Sequence, residues 1–239
     1  MTGERIAALR ALLKKLEMEQ VDVKLLNQAF IHPSYAMEHH LDGDNQRLEF
    51  LGDAVVDLLM GEYLYKMYDS ADEGKLTKMR ASLVCEEALA GAAEKLGLSA
   101  LLLLGHGEAQ CGGATRPSNL ADAWEAMCGA IYLSAGLDGL KPVLVRYLDE
   151  SIQRVQSGYY GDYKTRLQEV VQRTPNRQIE YQLLEENGPA HDPNFKVAVL
   201  VDGRTLGTAW GKSKKAAQRE AAMQALVALG ELSPVDSLE

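Results

Sequence analysis

The sequence predicts an all-α domain followed by a small α+β domain of order α-β-β-β-α, and three observations carry that reading. Apolar residues recur at helical spacing up to about residue 155. Past residue 175, three short segments, "QIEYQLLE", "FKVAVLV" and "RTLGTAW", have strand length and strand composition instead. Charge shifts between the two regions: residues 1–161 hold 15 basic and 23 acidic side chains, whereas residues 162–230 hold 10 and 8. The total of −9 argues against a nucleic-acid partner, but a basic segment behind an acidic one keeps that partner open.

With 239 residues the chain suits one large domain or two ordinary ones, and 46% hydrophobic residues exclude a disordered protein. No run of about 18 apolar residues occurs, so no membrane span is expected. The N-terminus, "MTGERIAALRALLKKLE", mixes Glu4 and Glu17 with its bases and lacks an apolar signal core, so a cytoplasmic location is expected. Cys85, Cys111 and Cys128 are too few and too far apart for a zinc site or a disulfide framework and read as reduced thiols.

In chain order, Ile6, Leu9, Leu12, Leu13 and Leu16 mark a first helix. "NQRLEFLGDAVVDLL" follows as an apolar helix interrupted by acids. Leu83, Leu89, Ala92, Ala93 and Leu96 continue the rhythm to Gly97, and "LADAWEAMCGAIYLSAG" continues it to a stop at Gly136. Residues 1–155 therefore read as an all-α domain of seven to nine helices. Gly158 and Gly161 flank two tyrosines and suggest a linker over 156–161. In residues 162–230, "DYKTRLQEVVQR" is a short helix, Asp202–Gly203 signals a hairpin between the second and third strands, and a last helix runs from about Ser213 to near Gly230. Residues 231–239 read as a frayed tail.

Two acidic pairs stand inside apolar helices. Glu49 and Asp53, at i and i+4, share one helix face, with Leu48, Phe50, Leu51, Ala54, Val55 and Leu58 expected to be buried around them. Asp122 and Glu125 form an i, i+3 pair in "ADAWEAM". Either pair alone suits a solvated face. Four carboxylates facing one another across two packed helices would repel strongly unless protonated or bridged by a divalent cation. Mg²⁺ takes oxygen ligands and suits phosphodiester chemistry. A di-iron bundle would want a histidine three residues after Glu49 or Glu125, and neither position holds one. Asp57 extends the stripe and reads as surface or as an outer support.

Three features of the second domain fit a nucleic-acid duplex. Lys212, Lys214 and Lys215 gather at a helix N-terminus, where free N–H groups and the helix dipole also attract phosphate. The loop "ENGPAHDPN" would project His191. Thr165, Gln168 and Glu169 line one helix side with groups suited to 2′-hydroxyls. Only Tyr181, Phe195 and Trp210 are aromatic on the strands, which disfavours a sheet that stacks single-stranded bases. An ordinary small domain with a lysine-rich helix end is the competing reading.

These residues resemble bacterial ribonuclease III. "RLEFLGDAV", Arg47 to Val55, is similar to that family's signature nearly letter for letter, and "AFIHPSYAMEH", "DEGKLTKMRASLV", "GHGEAQCGG" and "ADAWEAMCGAIYL" support it. Residues from "DYKTRLQEVVQR" to "AAMQALVAL" resemble the double-stranded-RNA-binding domain that follows in the family, so the likeness runs from about residue 5 to 230. The resemblance implies an endoribonuclease for double-stranded RNA, dependent on Mg²⁺ with Mn²⁺ able to substitute. It further implies a homodimer that leaves 5′-phosphate and 3′-hydroxyl ends and processes ribosomal and messenger RNA precursors. It implies Glu49, Asp122 and Glu125 as metal ligands, Asp53 and Glu125 as catalytic, and Glu73 as a supporting acid at the subunit boundary. Thr165, Gln168, Glu169, His191, Lys212, Lys214 and Lys215 match the usual RNA contacts. Gln46 stands where many relatives carry glutamate, which bears on dimer contacts or RNA preference rather than on the four acids.

Overall fold

The computed structural model describes residues 1–156, 163–188 and 193–232, and the chain divides into two compact units, Met1–Gln153 and Arg154–Glu239. His191, most of the expected linker and residues 233–239 lie outside the described residues.

The first unit is helical: α1 (Gly3–Leu16), α2 (Val23–Ala29), α3 (Pro33–Glu38), α4 (Gln46–Met67), α5 (Glu73–Leu83), α6 (Glu86–Leu96), α7 (His106–Gln110), α8 (Pro117–Tyr147) and α9 (Asp149–Gln156), the last crossing the division. Side-chain caps start several of these helices: Thr2 accepts from the Arg5 N–H, Asp22 from Lys24 and Asp72 from Lys75. Gly97 closes α6 in the left-handed region, as its position suggested. Gly136, at φ 70° and ψ −172°, breaks α8 where a stop was expected, but helix resumes directly after it.

α4 and α8 form the centre of this unit and cross almost backbone to backbone. A Cβ on Gly52 would fall 1.8 Å from the Glu125 carbonyl oxygen, and one on Gly129 would fall 2.4 Å from that of Leu48. Leu48, Val55, Val56 and Leu59 of α4 and Ala123, Ala126, Met127 and Ala130 of α8 are buried in this unit. Pro117–Tyr147 is also long and apolar enough to cross a bilayer by length and composition, which the sequence reading did not expect. Its packing against α4 and α6 accounts for part of that apolar content, while Leu133 and Leu137 remain exposed.

One expectation is corrected. Phe50 and Leu58 are 79% and 57% exposed, and Ala54 is exposed with them. α4 buries one stripe against α8, while Phe50, Ala54 and Leu58, at i, i+4 and i+8, form a second stripe facing outward.

In the second unit, α10 (Tyr163–Gln172) and α11 (Lys214–Ala228) pack on an antiparallel sheet of β1 (Ile179–Asn187), β2 (Asn194–Val201) and β3 (Arg204–Gly211) in that order. The β2–β3 hairpin turns at Asp202 and Gly203, φ 52° and 78°, the two positive values that a tight primed turn requires. The Asp202 carboxylate accepts from the Gln178 N–H and pairs with Arg177, which fixes the start of β1. Gly207 and Gly211 let α11 lie directly on β3, since Cβ atoms there would meet its backbone at 2.3 and 2.4 Å. The expected tail from residue 231 is also corrected: Leu232 is buried with Leu167, Val199 and Leu226, and Glu231 pairs with Arg173. Leucine's apolar surface outweighs the polar composition around it.

Candidate metal centre and nucleic-acid interface

Glu49 sits in the first turn of α4, and Asp122 and Glu125 project from α8 one turn apart. Because the two helices meet at glycines, these side chains converge: one carboxylate oxygen from each of the three lies within 4.8 Å of the others. All three are half-buried. Asp53 is exposed and stands outside the trio, yet its charge is felt there.

The electrostatics follow from burial and crowding. Burial, then the negative charges of Asp53, Asp122, Glu49 and Asp57, push the Glu125 carboxyl up to about 8. Burial raises Glu49 as well, with Asp122, Asp44 and Asp53 adding to it. Burial raises Asp122, with Glu86 adding and His32 opposing. His32 is fixed as the cap of α3, its Nδ1 accepting from the Ser34 N–H at 3.1 Å. One turn beyond Glu125, Cys128 is fully buried, and burial keeps its thiol protonated.

The remaining predicted residues lie apart from the trio. Glu73 opens α5, exposed, accepting from the Thr77 hydroxyl at 3.3 Å. Asp57 pairs at 3.7 Å with Arg80 of the same α5. Gln46 is exposed at the start of α4. Thr165, Gln168 and Glu169 are exposed on α10 at the spacing of one face. Ser213 caps α11 by accepting from the Ala216 N–H, so Lys214 and Lys215 are its first two residues, with Lys212 just before the cap; all three lysines are exposed.

Sequence reasoning did not single out Gly52 and Gly129, whose missing side chains bring the acids together. Their signal was present as glycine in the middle of two apolar helices, in "FLGDAV" and "MCGAI". Nor did it find the buried Asn119. Its amide donates to Glu108 at 2.8 Å and to the Gly113 carbonyl at 3.0 Å, and with the Arg116–Glu108 pair it pins the preceding loop to the start of α8.

A Ribonuclease-III-like family model matches residues 22–151, and a Double-stranded RNA binding motif matches residues 163–229. The chain belongs to the ribonuclease III family. Ribonuclease 3 of Syntrophomonas wolfei is 46% identical over 226 residues, 95% of this chain and 97% of that relative. Ribonuclease 3 of Moorella thermoacetica is 43% identical over 229 residues, 96% of this chain and 98% of the other. The nuclease domain of ribonuclease III from Campylobacter jejuni, a solved structure with a region involved in dimer formation, superposes with a TM-score of 0.55 at 41% identity. That match covers 59% of this chain and 95% of that one. As a ribonuclease III, this protein is an endoribonuclease of double-stranded RNA, its helical domain followed by the RNA-binding one.

Proposed function

We propose that this ribonuclease III hydrolyses phosphodiesters on both strands of duplex RNA with Mg²⁺, or Mn²⁺ in its place, held by Glu49, Asp122 and Glu125. The convergence of those three carboxylates carries the reading. The donor set fits a hard cation: three oxygens, no nitrogen or sulfur, and half-buried negative charge that is costly without a counter-charge. When bound, such a cation polarises a phosphodiester oxygen and activates a water for attack. The chain's own residues do the rest. Gly52 and Gly129 hold the two helices at the spacing that sets the trio, and Asp53, one turn beyond Glu49, orients waters and neighbouring groups at its edge. We assign Asp53 and Glu125 as the catalytic pair and Glu73 as a supporting acid at the subunit boundary.

Thr165, Gln168, Glu169, His191, Lys212, Lys214 and Lys215 bind the duplex through 2′-hydroxyls and phosphates, so binding and cutting are separable. The outward stripe of Phe50, Ala54 and Leu58 supports a homodimer. Two-fold symmetry then offers each RNA strand an equivalent centre, giving a staggered cut with 5′-phosphate and 3′-hydroxyl ends. Precursors of ribosomal and messenger RNA in the cytoplasm are the substrates that this reading favours.

Glu125→Gln tests the assignment. It is expected to bind duplex RNA like the parent and to lose cleavage in Mg²⁺ by more than about 100-fold, the upper range for groups that only support a metal ligand. Cleavage at the parental rate would exclude the trio as the catalytic centre.

A further inference from the structure

One end of the second unit's sheet carries two adjacent cross-strand rows. In the first, Glu185, Lys196 and Trp210 are partners; Lys196 Nζ lies 2.7 Å from Glu185 Oε1 and 5.4 Å from the centre of the Trp210 ring. In the second, Glu186, Phe195 and Gly211 are partners, and since successive strand residues point to opposite faces, this row belongs to the other side. Gly211 lies against the first turn of α11, where a Cβ would meet the Ala217 nitrogen at 2.4 Å. From that turn Lys214 reaches back over the row. Its Nζ lies 5.4 Å from the Phe195 ring centre and 3.6 Å from Glu186 Oε2.

We propose that Glu186 is a built-in counter-ion of Lys214 that competes with RNA phosphate and so sets the strength and salt dependence of duplex binding. This rests on the reading of Lys212, Lys214 and Lys215 as phosphate contacts. A duplex phosphate neutralised by a lysine releases the cation condensed on it, so binding weakens as salt rises. When that lysine is held by a carboxylate of its own chain, the arriving phosphate must displace the carboxylate; Glu186 then stands as a negative charge beside the polyanion and retains a cation there, which lowers the net release. Both side chains are more than half exposed, at 57% and 56%, so the displacement is easy and the effect is graded rather than a block.

The test uses the full chain and a blunt duplex of about 20 base pairs, slightly longer than one such domain spans. Dissociation constants are measured across a salt series without divalent cation, which holds off cleavage. Glu186→Gln is expected to tighten binding about threefold at low salt, the scale of one exposed pair. It is also expected to steepen the slope of log K against log salt by up to about 0.9, one further counter-ion released. In a Lys214→Ala background the same change is expected to have no effect. Glu185→Gln, an identical charge change on the opposite face, is expected to leave affinity and slope unaltered. An equal gain from Glu185→Gln, a gain that persists without Lys214, or no gain from Glu186→Gln overturns the counter-ion role. If Lys215→Ala also leaves binding unchanged, the lysine cluster itself fails as an RNA contact; if Lys215→Ala weakens binding while Glu186→Gln changes nothing, only the counter-ion role is lost.

Discussion

Glu125 shows how one residue can be unfavourable for the fold and yet suit the proposed chemistry. Burial and four neighbouring acids hold its carboxyl at about 8 against an ordinary 4.5. Below pH 4.5 both folded and unfolded chains carry the proton, and stability is unaffected by it. Between 4.5 and 8 the folded chain keeps a proton that the unfolded chain has released, so stability contributed by this group falls as pH rises, and the full penalty stands above 8. Discounted for its partial exposure, that penalty is about 1–2 kcal/mol. Metal-free Glu125→Gln is therefore expected to melt a few degrees above the metal-free parent beyond pH 8 and level with it near pH 4. Added Mg²⁺ is expected to reverse the order at high pH by stabilising only the parent. Thermal melts across pH, with and without the cation, check both statements; a parent that melts higher in every metal-free condition would contradict them.

At the scale of elements, the crossing of α4 and α8 is the decisive contact. Gly52→Ala would drive a methyl carbon to 1.8 Å from the Glu125 carbonyl oxygen, so the helices must separate. A loss of about 3 kcal/mol or more, the upper range for overpacking, is expected in denaturant unfolding, together with weakened cleavage. Much of this element was legible in the sequence. Helical spacing and the paired acids of "RLEFLGDAV" and "ADAWEAM" located both partners, and Asp202–Gly203 located the β2–β3 turn. What was not legible depends on contacts distant in sequence. Helical spacing marks apolar stripes but does not tell which stripe meets α8, so Phe50 and Leu58 read as core. Asp53 shares a face with Glu49 by spacing, but whether a side chain one turn away reaches a focal point depends on the crossing. Leu232 is one of three apolar residues scattered through the last nine, and the cluster built by α10, α11 and the sheet gives it a place to pack.

For the whole molecule, the outward stripe on α4 bears on assembly. Burying an apolar side chain of this size contributes about 1.5–3 kcal/mol. Phe50→Ser combined with Leu58→Ser is thus expected to weaken the proposed homodimer at least 100-fold while leaving each nuclease domain folded, because both side chains are exposed in the single chain. Sedimentation across a concentration series reads the association, and circular dichroism reads the fold; a variant that remains dimeric at nanomolar concentration would show that the contact lies elsewhere. The acids and this stripe also alternate along the same rod, as Glu49–Phe50, Asp53–Ala54 and Asp57–Leu58. α4 is in that sense an axle shared by two tasks. Any roll that seats the outer stripe more deeply in a neighbour swings Glu49 and Asp53 through the same angle, so in the proposed dimer pressure at the seam would reach the proposed metal centre without an intervening relay.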